Sequence, residues 1–155
     1  MGKEKRQRIK ARICPSRKEK QMIEMELYKI KIDERKDIQT IVLKEKNGKR
    51  LLSIGIGIPE VNAIKMKISG INPPRPLTHD LLRNIIHHLG ADVDKVIIDK
   101  LEFNTFYAKI ILKADHNKIK EIDARPSDSI ALALRMEAPI FAAEEVLRMA
   151  AAFSD

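Results

Sequence analysis

The chain has 155 residues, 44% of them hydrophobic but only 4% aromatic and none Trp, with a formal net charge of +8. That length suits one domain with a core of Ile, Leu, Val, Met and Ala. No apolar run approaches the roughly 18 residues of a membrane span, and the charged N-terminus lacks the apolar stretch of a secretory signal. The lone Cys14 makes neither an internal disulfide nor a metal cluster, which fits a reducing cytoplasm.

The charge is unevenly placed. Residues 1–20 hold nine Lys/Arg against two Glu, so the body beyond them is nearly neutral. Residues 1–21 therefore read as a basic tail and 22–155 as the folded domain. The tail admits three readings: an arm that neutralises phosphates, a solvated tail without a partner, or a misplaced start ahead of Met22 and Met25.

From Met25 the pattern is strand-like, with Tyr28, Ile30 and Ile32 alternating with polar residues. A second strand is expected over Ile38–Glu45. Asn47-Gly48 then favours a tight hairpin turn with φ > 0. In the returning LLSIGIGI, Leu52, Ile54, Ile56 and Ile58 share one face, while Ser53, Gly55 and Gly57 leave the other nearly bare. Such a face admits a backbone, a helix or a ligand at close range. Pro59 suits a helix start, Val61, Ile64 and Ile68 give that helix a face, and Gly70 stops it. INPPRPL is extended. Thr78 is the expected N-cap of THDLLRNIIHHLG, with Leu81, Leu82, Ile85, Ile86 and Leu89 as its buried stripe and Gly90 as its end. Strands over Val96–Phe103 and Thr105–Leu112 flank a turn at Asn104, and a short strand covers Ile119–Asp123. The next helix is apolar nearly all round at Ile130–Leu134 and must be buried. Its alanines could pack on the bare face of Gly55 and Gly57. APIF is a short strand and Glu144–Phe153 a last helix. The class is α+β: a mixed, largely antiparallel sheet built from hairpins, with about four helices, one of them buried and Ala/Leu-rich.

The chemistry-bearing residues cluster in EIDARPSDS. Ser127 can cap the buried helix and Asp128 suits the positive end of its dipole, with Arg125 paired to either acid. The same geometry can make a site. Free N–H groups and Arg125 attract a phosphate, and Asp123 and Asp128 across a strand-to-helix turn could face one divalent cation. His79-Asp80 opens another helix, where His79 can serve as a general base or simply lie in solvent. Glu60 is a first-turn acid beside the glycine-faced strand. His87 and His88 suit the negative end of a helix dipole and read as structural. Phosphate-loop, Rossmann, HExxH, CxxC and Gly-x-Ser-x-Gly signatures are absent. So is the aromatic and basic pattern of RNA-binding sheets.

Taken in order, IVLKEKNGKRLLSIGIGIPEVNAI, PPRPLTHDLLRNIIHHLGADVDKVII, TFYAKIIL and EIDARPSDSIALALRMEAPIF followed by EEVL resemble the bifunctional nuclease domain family over about residues 25–147. The resemblance implies a nuclease of DNA and/or RNA. Its motif positions fall here on Glu60, His79, Asp80, Asp123, Arg125, Ser127 and Asp128. Ser53, Val61 and Ser129 depart from the family pattern, which bears on local helix packing and leaves the polar set intact.

The resulting expectation is a cytoplasmic phosphodiesterase. Mg2+ or Mn2+ would be held by some of Asp80, Asp123, Asp128 and Glu60. Arg125, Ser127 and Arg75 would bind substrate, and His79 would move a proton. This requires the THDLL and DARPSD segments to meet in space. The alternatives are a non-catalytic module that binds nucleic acid or a regulatory protein, and a structural homo-oligomer.

Overall fold

The computed structural model describes residues 21–152, so the basic tail lies outside the described residues. The strands are β1 (Met22–Lys31), β2 (Ile38–Glu45), β3 (Leu51–Gly57), β4 (Asp92–Glu102), β5 (Thr105–Ala114), β6 (Lys118–Ala124) and β7 (Ile140–Ala143). The helices are α1 (Ile58–Ile68), α2 (Thr78–His88), α3 (Pro126–Met136) and α4 (Glu144–Ala152). One sheet runs β3-β2-β1-β7-β4-β5-β6. Every pairing is antiparallel except that of β4 with β7. This is the expected α+β class. Among the described residues no helix is long and apolar enough to cross a membrane.

Bulges explain where simple alternation misleads. In β1 the inward residues are Ile23, Met25 and Leu27; the register then slips at Tyr28, and Ile30 takes over. The expected Tyr28/Ile30/Ile32 face is therefore wrong, because Tyr28 and Ile32 are exposed. An extra residue flips every later side chain to the other face. In β4 two such slips, after Val93 and after Ile98, keep Val93, Val96, Ile98 and Leu101 all in the core.

The turns also differ from expectation. Asn47 and Gly48 both keep φ < 0, because the connection is a four-residue loop closed by the Glu45 N–H donating to Arg50 O (2.9 Å). Loops of that length are built on ordinary turns that need no φ > 0. The two-residue turn with φ > 0 lies instead at Phe103 (47°) and Asn104 (59°), so Phe103 belongs to the turn and not to β4.

α3 is buried along nearly its whole length. It packs on β4 and β5 and between α1 and α2, so its alanines do not lie on Gly55 and Gly57. On β3, Leu52, Ile54 and Ile56 are buried while Ser53 and Gly55 remain exposed.

α2 overturns the expectation for its stripe. Leu81 (52% exposed), Leu82, Ile85 and Leu89 (76% exposed) face outward, and only Ile86 is half-buried. The inward side carries His79, Asp80, Arg83 and Asn84. Polar residues can face inward because α3 presents Asp128 and Arg135 to them.

Candidate active site

Side-chain caps were expected at two helix starts, Thr78 for α2 and Ser127 for α3, and neither is built that way. In α3 the N-cap position is Arg125, with Pro126 in the first turn; Ser127 is buried and makes no capping hydrogen bond. Pro126 supplies helical φ and lacks the N–H that would otherwise need a partner. The fully buried Ser129 hydroxyl donates to Arg125 O (3.0 Å), so its departure from the family pattern is satisfied internally. In α2 the N-cap position is Leu77, one residue before Thr78. The Leu77 N–H donates to Asp80 Oδ2 (3.1 Å), which is the reciprocal half of a capping box.

These helix starts and α1 converge, and THDLL meets DARPSD as the expectation required. His79 Nε2 lies 3.0 Å from Asp128 Oδ1. Arg125 Nε donates to Asp128 Oδ2 (2.8 Å), and its Nη2 donates to Asp128 Oδ1 (3.1 Å) and to Glu60 Oε1 (2.8 Å). His79, Asp128, Arg125 and Glu60 thus form one hydrogen-bonded chain across α2, α3 and α1. All four line a cleft of about 600 Å³ shared with Asn62, Thr78 and Leu81. Arg125 Nη1 makes no hydrogen bond among the described residues.

The electrostatics follow from burial and partners. Burial pushes the Asp128 carboxyl up, but hydrogen bonds from Arg125 and His79 outweigh it and hold the group below the usual carboxylate range. Asp128 is therefore an acceptor. In a neutral imidazole this places the ring proton of His79 on Nε2 and leaves Nδ1 as the nitrogen that can take a proton. Hydrogen bonds to Asp128, then to Glu60, raise the Arg125 pKa above its ordinary value.

Asp80 has a different partner. Arg135 Nε donates to Asp80 Oδ1 (2.7 Å), while its Nη1 donates to Ala131 O (3.0 Å) and its Nη2 to Ala63 O (3.1 Å). The pair is deep, with side chains 3% and 17% exposed. Burial would raise the Asp80 carboxyl; Arg135 and the Leu77 N–H bring it below its usual range. Asp80 lines a neighbouring cavity of about 300 Å³, not the cleft of His79. Arg135 escaped the sequence reading. Its signal was a guanidinium in a helix otherwise apolar all round, since a charge there must find a partner.

The remaining candidates lie apart. Asp123 is exposed on β6 opposite Lys109, outside the hydrogen-bonded chain. Arg75 is exposed in the proline-rich segment and lines neither cavity. Ser127 lines a separate cavity with Gly55 and Gly57. The expected metal ligands do not converge: Asp80 is held by Arg135, Asp123 stands alone, and Arg125 bridges Glu60 and Asp128. Among the described residues no group of three or more His, Cys, Asp or Glu is placed to hold a metal ion. The donor set does not fit a cation.

Comparison with known proteins gives three findings. The family model described as "Bifunctional nuclease domain" matches residues 41–155. An uncharacterized protein of Mycobacterium tuberculosis is 44% identical over 129 residues, 83% of this chain and 76% of the relative. "Bifunctional nuclease 1" and "Bifunctional nuclease 2" of Oryza sativa subsp. japonica are each 30% identical over 104 residues, 64% of this chain; those residues make up 31% and 32% of the two rice proteins.

Proposed function

The chain belongs to the bifunctional nuclease domain family, and from that premise we propose that it hydrolyses phosphodiester bonds of DNA or RNA in the cleft of His79, Arg125, Asp128 and Glu60. The observation that carries the reading is the hydrogen-bonded chain His79–Asp128–Arg125–Glu60 lining an open cleft. Phosphodiester hydrolysis needs a base for the attacking water and a donor for the charge that builds on the phosphoryl oxygens. His79, oriented through Nε2 by Asp128, takes the proton of the water as its oxygen bonds to phosphorus. Arg125 stabilises the charged phosphoryl group. The ester P–O bond breaks and the leaving oxygen takes a proton from solvent.

One cation faces two carboxylates in this cluster, so a phosphate must compete for Arg125. Glu60 is the replaceable partner, since it holds Arg125 through one hydrogen bond where Asp128 holds it through two. Substrate phosphate takes its place at Arg125, with Nη1 as a further donor.

The test is cleavage of single-stranded DNA and RNA by highly purified protein, beside a His79→Ala variant shown by melting to be folded. Loss of about 100-fold or more in the folded variant supports the reading. A folded variant that cleaves at the wild-type rate removes the chemistry from this cleft. Assays in Mg2+, Mn2+ and EDTA decide the metal expectation. Activity abolished by EDTA and restored by either ion supports a cation recruited with substrate. Activity that persists in EDTA assigns the chemistry to the side chains alone.

One observation favours a non-catalytic binding module: the same hydrogen bonds tie α1, α2 and α3 together. On that reading neither protein cleaves, and His79→Ala lowers stability alone.

A further inference from the structure

On the far side of Arg125 lies a second cavity, of about 520 Å³. Its floor is β3 from Ser53 to Gly57, with Ile38 of β2 beside it; Ser53 and Gly55 are exposed there, while Ile54 and Ile56 are buried. At Gly55 the backbone is bare apart from Ile38 Cγ2 and a flat ligand can approach it closely, whereas Glu60 Oε2 stands over Gly57. β3 ends the sheet and pairs only with β2 among the described residues. Its outer edge therefore keeps N–H and C=O groups unpaired by the sheet. Asn104 of the β4–β5 turn and Thr105 and Phe106 at the start of β5 also line it, and the start of α3 contributes Ser127. Phe103, one residue before Asn104, is 99% exposed.

We propose that this cavity is a nucleobase subsite, in which a base lies on the Gly55 backbone beside Phe106 while the adjoining phosphate meets Arg125. Arg125 lines both cavities, so it stands where phosphate and base part company. The volume falls within the range of small-ligand sites, and an apolar wall with a few polar groups is what a base requires. Phe106 and the open backbone at Gly55 give affinity for any base; Asn104 and Ser127 supply edge contacts. The substrate then is a single strand, because a paired base cannot leave its stack to enter without cost. The subsite rests on the phosphodiesterase reading, and its test is a binding measurement that can fail while cleavage stands.

A short single-stranded oligodeoxynucleotide and an abasic oligomer of the same phosphate count are titrated in EDTA against wild type, Gly55→Val and Ser53→Val. Both substitutions fill the floor from the exposed side of an edge strand. At Gly55 an added Cβ meets only Ile38 Cγ2, at 3.1 Å, and Ile38 is itself exposed. Either variant alone, if folded, suffices. Wild type is expected to bind the base-bearing oligomer about tenfold or more tightly than the abasic one. Each variant loses that preference while keeping its affinity for the abasic oligomer and the salt dependence of binding. Folded variants that retain the preference overturn the subsite, as does a wild type that binds both oligomers equally. Cleavage in the assay above would then leave the phosphodiesterase reading intact. Binding to neither oligomer sinks the subsite as well, and with absent cleavage it sinks both.

Discussion

α2 and α3 are each 11 residues long, each carries an acid in its first turn, and the two pack against each other. Their apolar residues have opposite fates. In α3, Ile130, Ala131, Leu132 and Ala133 are buried together with the guanidinium of Arg135. In α2 the apolar stripe is outside and His79 is inside. An all-round apolar helix has one solution, full burial. An amphipathic helix says only that its two sides differ, and the partner decides which side turns in. Here α3 presents Asp128 and Arg135, so His79 and Asp80 are drawn inward and the leucines are left out.

The sharpest way to break that contrast is at Arg135. Arg135→Met leaves Asp80 without its cation and removes the donors to Ala63 O and Ala131 O. The expected loss is about 3 kcal/mol or more in urea unfolding. Adding Asp80→Ala should recover part of it, since the stranded carboxylate is gone. A single variant as stable as wild type would show that the buried pair does not hold α2 to α3. Leu132→Ala should cost about 3 kcal/mol through the cavity it leaves. The same change at Leu81, measured the same way, should cost well under 1 kcal/mol.

Much of this was legible in the chain. DARPSD and THDLL mark the two helix starts that meet, and the alternation of LLSIGIG gives β3 its bare face. The misses have physical causes. The bulges at Tyr28 and in β4 shift phase without leaving a glycine or proline as a marker. Asp123 and Asp128 are close in sequence, but a strand ends and a helix begins between them, and only Asp128 turns toward His79. Asp80 follows His79 directly, yet consecutive residues on a helix point about 100° apart, so they reach different partners on α3. The inversion of α2 could not be read from α2 at all; it depends on Arg135, fifty-five residues later.

Acid should loosen this pairing next. Asp80 and Asp128 are held below the usual carboxylate range in the folded chain. As pH falls, the unfolded chain takes up their protons first, near pH ~4. The stability they contribute is complete above that pH and is lost as pH falls through their lower folded values. Urea midpoints should be flat from pH 7 to about 5 in these two groups' contribution and then fall. Asp80→Asn/Asp128→Asn should be less stable at neutral pH and show a shallower acid decline. An unchanged decline would assign acid sensitivity to other carboxylates, such as Glu45 and Glu144 on Arg50.

Gly57 separates structure from site at the start of α1. A Cβ there would lie 2.5 Å from Glu60 Oε2, the free end of a flexible side chain. Gly57→Ala should therefore cost little stability, within about 0.5 kcal/mol, while pushing Glu60 off Arg125. With that competitor displaced, affinity for the abasic oligomer should rise, as it should in Glu60→Gln. Weaker binding in both folded variants would mean that Glu60 helps hold substrate and does not compete with it.

The smallest expected change in folding is at the outer side of α2. Leu81→Ser/Ile85→Ser removes apolar groups that are about half exposed (52% and 45%), and Ser costs only a few tenths of a kcal/mol more than Leu or Ile in helix propensity. Thermal melts at low concentration should differ little from wild type. A loss above about 2 kcal/mol would mean that the stripe is covered within the protomer, and the contrast with α3 would fall. The same variant bears on the homo-oligomer that the sequence offered as an alternative. Exposed leucines in a row are costly to leave in water and suit burial against another surface. Leu77 and Leu81 also line the cleft of His79, so a second copy seated on α2 would lie over the rim of the candidate site. Wild type that sediments as a dimer and a variant that sediments as a monomer would place the interface on this stripe. A wild type that stays monomeric would leave the stripe open, with the cleft facing solvent on that side.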